Sequence, residues 1–184
     1  MKRLIAVVGM PGAGKSEAGI FFKEKEGMEV LRFGSVIDEG LQGEGLPWSA
    51  ENNGYYREKI RKELGMAAVA IKMMPKIEQA IQTDKDVVLD GLYSWEEYTT
   101  LKEKFPNLLL LCVYASPAIR YERLSSRKER TFTKAEARVR DISELQHLNK
   151  GGPIAIADYL VKNETTKEDL YKELEAFLES IREN

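Results

Sequence analysis

Apolar residues follow two rhythms along this chain. Short, mainly apolar runs stand at 4–8, 29–33, 86–90, 108–114 and 159–162 and predict five strands. Between and after them lie longer stretches with apolar residues every third or fourth position, the spacing of helices that bury one face. Ser94-Trp95-Glu96-Glu97 and Thr133-Lys134-Ala135-Glu136 are capping boxes that start two of these helices. Thr166 opens the last, where Leu170, Leu174, Phe177, Leu178 and Ile181 form one stripe. Strands that alternate with helices predict an α/β fold, a parallel sheet covered on both faces. The run at 4–8, "LIAVV", is apolar at every position, as a strand buried on both sides must be. Ligands of such sheets bind beyond the carboxyl ends of the strands.

Two segments break the alternation. Residues 40–56 hold four glycines, Pro47 and Asn52-Asn53, and predict a mobile loop. Residues 125–133, "SSRKERTFT", are polar and basic between two helical patterns. Insertions of this kind usually carry function on a rigid scaffold.

The 184 residues suit one domain spanning 1–184. With 43% apolar residues, 32% charged residues and a net charge of −2, the profile is that of a soluble globular protein. It gives no reason to expect nucleic acid or a membrane as a partner. The single cysteine, Cys112, sits inside "LLLLCVY" and reads as a buried thiol, which suits a reducing cytoplasm. The N-terminal apolar run is too short for a signal peptide.

The first strand leads directly into chemistry. Gly9-Met10-Pro11-Gly12-Ala13-Gly14-Lys15-Ser16 satisfies G-x-x-x-x-G-K-[ST], the phosphate-binding loop, and the helix beginning near Glu17 completes its setting. A triphosphate is wrapped by backbone N–H donors at close range, so small residues serve there. The unpaired donors at a helix start favour an anion. Lys15 adds a full charge at the β- and γ-phosphates, and Ser16 offers a hydroxyl to magnesium. The segment therefore points to ATP with magnesium. Asp90, at the end of the third strand, is the carboxylate placed to hold that ion opposite Ser16.

A second group is cationic. Arg120, Arg123, Arg127 and Arg130 recur every three or four residues, on one helix side and then in the basic segment. Arg123, Arg127 and Arg130 are candidates for stabilising a transferring phosphoryl group. Arg120 reads instead as part of a solvated face. His147, the only histidine, reads as a surface residue, and Trp48, Tyr55, Tyr56 and Tyr93 as packing aromatics.

Taken together, Gly9–Ser16, "VVLDG", "YASPAIRYERLSSR" and "ADYLVKNETTKEDL" resemble segments of the P-loop small-molecule kinases. The similar groups are the nucleoside monophosphate kinases, the dephospho-CoA kinases and an archaeal-type nucleotide kinase set. The resemblance spans nearly the whole chain. It implies a three-layer fold with strand order 2-3-1-4-5, ATP as donor, a lid over 125–133 and an acceptor loop over 40–56. Arg123 and Arg127 match its lid-flanking arginines. The chain departs from it at two places. Gly34-Ser35-Val36-Ile37-Asp38 stands where monophosphate kinases carry Gly-Asp-x-x-Arg, and Tyr93 stands where the archaeal-type set has an arginine. Asp38, Arg57 and Arg61 remain as acceptor-site candidates. The resemblance implies phosphoryl transfer to a small nucleotide-like acceptor. Transfer to a ribose hydroxyl, as in dephospho-CoA kinases, and an ATP-binding regulator with little turnover are the alternatives. The acceptor's identity and the oligomeric state stay open.

Overall fold

A computed structural model describes residues 2–127 and 131–182. Five strands, β1 (Leu4–Val8), β2 (Glu29–Arg32), β3 (Val87–Asp90), β4 (Leu108–Tyr114) and β5 (Tyr159–Lys162), form one parallel sheet in the order β2-β3-β1-β4-β5. This is the expected P-loop kinase arrangement. Strands β1, β4 and β5 have the bounds the apolar runs predict, and β2 and β3 are each one residue shorter.

The sheet separates two cores. Because successive strand residues face opposite sides, Ile5 and Val7 pack with Phe21, Phe22, Leu174 and Phe177. These come from α1 (Lys15–Glu24) and α9 (Lys167–Arg182). Leu4, Ala6 and Val8 pack on the other side with Ile37, Ile60, Met73 and Leu101. That side carries α2 (Gly34–Gly43), α3 (Ala50–Leu64), α4 (Ala68–Ala80) and α5 (Trp95–Lys104). The helices α6 (Pro117–Ser125), α7 (Lys134–His147) and α8 (Gly151–Ala155) follow β4. Both predicted capping boxes form. Ser94 Oγ accepts from Glu97 N at 3.0 Å, and Thr133 Oγ1 accepts from Glu136 N at 3.2 Å. Among the described residues no helix is long and apolar enough to cross a membrane.

Residues 40–56, expected to be a loop, are mostly helical. α2 continues to Gly43, and Ser49 caps α3 by accepting from Asn52 N at 3.0 Å. Only 44–49 connect the two helices. The glycines misled because one of them serves packing. A Cβ on Gly40 would lie 1.9 Å from a ring carbon of Tyr56, so glycine there lets α2 and α3 approach. Tyr56 is buried in the core, as the sequence suggests.

Gly40 and Gly43 therefore respond oppositely to alanine. In an open helix Gly→Ala gains up to about 1 kcal/mol. Nothing lies within 4 Å of a Cβ on Gly43, so Gly43→Ala is neutral or stabilising. Gly40→Ala costs about 1–3 kcal/mol through overpacking, and Tyr56→Leu in the same chain recovers part of that loss. Urea unfolding of the three variants measures this; a stabilising Gly40→Ala contradicts it.

Candidate active site

The loop from Gly9 to Gly14 closes between β1 and α1, and its shape is set by neighbours as much as by its own residues. Gly9, Gly12 and Gly14 adopt φ of +147°, +81° and +104°. A Cβ on Gly9 would meet the Val113 carbonyl oxygen at 2.3 Å, and one on Gly14 would meet Asn163 Nδ2 at 2.2 Å. Glycine is required there for the close approach of β4 and of the segment after β5, in addition to ligand access. Asn163, 6% exposed, donates from Nδ2 to the Ala13 carbonyl at 2.8 Å.

Arg120 is the clearest departure from expectation. It is buried, not solvated, and pairs with Asp141 of α7 through two bonds of 2.9 and 2.7 Å. It also donates to the Ala115 carbonyl at 3.0 Å and the Pro11 carbonyl at 3.1 Å. Helical spacing gave Arg120 and Arg123 one side of α6. What separates Arg120 is that this part of the helix lies against the loop. Arg123 faces the segment after β5, donating to the Asn163 carbonyl at 2.9 Å and to Asn163 Oδ1 at 3.2 Å. Arg130 lies outside the described residues.

Two clefts meet at the loop. One is bordered by Gly12, Gly14, Glu17, Arg123, Asn163 and Lys167. Glu17 here accepts from Lys167 at 2.6 Å and from the Tyr171 hydroxyl at 2.7 Å. Burial raises the Glu17 carboxyl, but these hydrogen bonds outweigh it and hold it below the usual range. The other cleft is bordered by Pro11, Gly12, Lys15 and Ser16, by Arg32, Asp38, Asn53 and Arg57 from the β2–α3 side, and by Asp90, Tyr93 and Arg140. Gly12 and Arg127 border both clefts, so the two adjoin at the loop. Met10 and Ala13 border a third, mainly apolar recess behind the loop, beside buried Cys112.

Lys15 folds back on its own loop, with Nζ donating to the Gly9 carbonyl at 2.8 Å and the Met10 carbonyl at 3.2 Å. Burial, reinforced by the Lys150 charge, lowers its pKa to about 7, against the opposing fields of Glu144 and Asp90. Asp90 is 8% exposed, and burial raises its carboxyl while Lys15 and Arg32 pull the other way. Asp38 is ion-paired with Arg32. Arg57 borders the cleft, whereas Arg61, one turn further along α3, does not. Arg61 is half-buried in the fields of Glu97 and Glu96, and burial and Arg57 lower its pKa.

Four polar residues that were not among the candidates complete the site. Arg140 of α7 borders the cleft, with Nε donating to Glu144 Oε1 at 3.0 Å and its guanidinium 5.1 Å from the Phe132 ring centre. Lys150, 1% exposed, is ion-paired to Glu144 and lies 4.5 Å from the Tyr93 ring centre. Burial raises the Glu144 carboxyl, but Lys150 and Arg140 hold it below its ordinary value. Asn163 stands in "ADYLVKNE", the one signal that pointed toward it. His147 is exposed at the end of α7, as expected.

The residues fit a magnesium triphosphate. No side chain caps the first turn of α1, so its amides are open to an anion. Lys15, Ser16 and Asp90 border one cleft, which supplies a cation for phosphate oxygens and a hydroxyl and a carboxylate for magnesium. Among the described residues no group of three acidic, His or Cys side chains could hold a metal alone. Magnesium takes one or two protein oxygens and completes its shell with phosphates and water.

Comparison with known proteins agrees with the fold. A family profile described as an AAA domain matches residues 5–144. A UPF0200 protein of Pyrococcus abyssi is 34% identical over 182 residues, covering 97% of this chain and 96% of that protein. A gluconokinase from Sinorhizobium meliloti superposes with a TM-score of 0.62 at 18% identity, covering 99% of this chain and 94% of that one. A dephospho-CoA kinase from Campylobacter jejuni gives a TM-score of 0.60 at 16% identity, covering 98% of each chain.

The Lys15 environment makes nucleotide binding proton-linked. At pH 8 a lysine of pKa about 7 is about nine-tenths neutral, and phosphate oxygens restore its charge. Binding of a non-hydrolysable ATP analogue at pH 8 thus takes up close to one proton, read by calorimetry in buffers of different ionisation enthalpy. Lys15→Arg, charged throughout, removes this uptake, and equal uptake in both proteins contradicts it. The same depression leaves the unfolded chain holding more protons between about pH 7 and 10.5, so Lys15 makes ligand-free stability rise with pH across that window.

Proposed function

From a chain that belongs to the UPF0200 family and to the AAA-domain family, we propose a kinase that moves a phosphoryl group from ATP, with magnesium, to a small nucleotide-like acceptor. The observation that carries this reading is the pair of adjoining clefts. The phosphate loop stands where they meet, with cations in both and the Ser16–Asp90 pair at the loop. Phosphoryl transfer asks little covalent chemistry of a protein; positioning and charge stabilisation supply most of the rate.

In this reading the cleft at Asn163 and Lys167 takes the nucleoside of the donor. Lys15 leaves the Gly9 and Met10 carbonyls for the phosphate oxygens. Ser16 and Asp90 hold magnesium, which neutralises charge on the donor phosphates when bound. Arg127 and Arg130 belong to a lid over 125–133 that closes on the transferring group, Arg123 flanks that lid from α6, and Arg140 faces that group from α7. The residues 40–56, with Arg57 and Asp38, bind the acceptor. Arg61 contributes through the position of Arg57.

A second reading, transfer to a hydroxyl, is favoured by Asp38 at the same cleft and by the likeness to a dephospho-CoA kinase. A hydroxyl must lose its proton, and a nearby carboxylate assists that. A phosphate acceptor is already ionised and needs no base.

ATP consumption with nucleoside monophosphates and with dephospho-CoA decides between them. Lys15→Ala is expected to lower turnover by about 10²–10³-fold or more with the fold intact. Arg127→Ala is expected to lower kcat more than it weakens ATP binding, because closure makes its contact. Asp38→Asn is nearly silent with a monophosphate acceptor and slows transfer to a hydroxyl, the loss shrinking as pH rises. Absence of turnover with every acceptor removes the kinase reading and leaves an ATP-binding regulator.

A further inference from the structure

The cations of the acceptor cleft differ in how they are neutralised. Arg32 is ion-paired with Asp38, and Arg140 with Glu144. Arg57 has no carboxylate at ion-pair distance among the described residues. Its Nε donates to Asn53 Oδ1 at 2.8 Å, and its guanidinium carbon lies 5.3 Å from the centre of the Tyr93 ring. Both partners are uncharged. A carboxylate partner would cancel the guanidinium charge and compete with any incoming anion. An amide and an aromatic ring fix the guanidinium in place and leave its charge available.

The ring is itself held in place. Tyr93 N donates to Glu97 Oε2 at 2.8 Å, so the capping box of α5 anchors its backbone. Asn53 precedes Arg57 by four residues on α3 and meets it on the same helix face. The Tyr93 ring also receives Lys150 Nζ at 4.5 Å, and Glu144 neutralises that ammonium. A third cation at position 93 would repel both Arg57 and Lys150, whereas the ring attracts each of them. Asn53, Arg57 and Tyr93 all border the cleft that holds Lys15 and Asp90.

We propose that Tyr93 is a positioning residue which, with Asn53, presents Arg57 as an un-neutralised cation to an oxyanion of the acceptor. It thereby selects anionic acceptors over neutral ones. The proposal rests on the phosphoryl-transfer reading for the word acceptor, while the anion site itself stands on these contacts. The hydroxyl of Tyr93 has no part in it.

The test is a titration of the full chain, with and without a magnesium complex of a non-hydrolysable ATP analogue. The probes are inorganic phosphate, the four common nucleoside monophosphates, gluconate and the matching neutral nucleosides. Expected are measurable binding of an oxyanion probe and much weaker binding of the nucleosides. Tyr93→Leu and Arg57→Ala each weaken the oxyanion by about tenfold, and Tyr93→Phe stays within about twofold of the parent. The double variant Tyr93→Leu/Arg57→Ala binds no more weakly than Arg57→Ala alone, since the ring acts through Arg57. A phosphate preference identifies a phosphorylated acceptor and a gluconate preference a carboxylate acceptor. Melting temperatures and the analogue's affinity separate misfolding from loss of the site. The proposal is overturned by additive losses, by nucleosides that bind as tightly as their monophosphates, or by no oxyanion binding to the parent chain. Failure of the parent to bind the ATP analogue would remove the kinase reading instead, and the titration without analogue still decides the role of Tyr93.

Discussion

Two carbonyl oxygens of the phosphate loop are held from outside the loop, and the candidate active site depends on that grip. Arg120 of α6 takes the Pro11 carbonyl, Asn163 takes the Ala13 carbonyl, and the Val113 carbonyl sits where a Cβ on Gly9 would be. A run of three glycines would otherwise lose much conformational entropy on ordering. Buried bonds to its carbonyls fix one conformation without engaging the amides at the start of α1. Arg120 also grips Asp141 in α7, so loop, α6 and α7 are one connected unit. Arg123 bonds Asn163 as well, which ties the helix leading to the basic segment to the same loop.

Around that unit the charges are unevenly matched. Lys15, Lys150 and Arg140 converge while Glu144 serves two of them. Desolvated like charges are unfavourable unless something neutralises them. In the ligand-free chain Lys15 meets this by turning to two carbonyls with its pKa lowered. The cleft is thereby poised for a polyanion, which would relieve the repulsion among its own walls. The cost of assembling the cations is offset by the apolar packing of the two cores on either side of the sheet.

Much of this was legible in the residues. The apolar runs gave the strands, most plainly β1 and β4 at the middle of the sheet, because a strand covered on both faces has no polar side to show. The capping boxes gave two helix starts, because their bonds join residues three apart. The phosphate loop is equally local: Gly9 to Ser16 is one contiguous string. The segment 40–56 was misread because glycine has two uses. As a breaker of structure it predicts a loop; as the residue that lets Tyr56 lie against α2 it belongs in a helix. Spacing alone cannot tell these apart.

The sequence by itself therefore determined the fold class, the strand order through resemblance, and the phosphate-loop motif, since each rests on short-range pattern. Tertiary structure alone decided which cations serve which role. Arg120 and Arg123 share a helix side, yet one is buried against the loop and the other bonds Asn163, forty residues away in the chain. Arg57 and Arg61 are one turn apart, and only Arg57 reaches the cleft. Arg140, Glu144 and Lys150 carry no motif at all. A charge acquires its function from its desolvation and from the partner it meets across the fold, and neither quantity is a property of neighbouring residues in the chain.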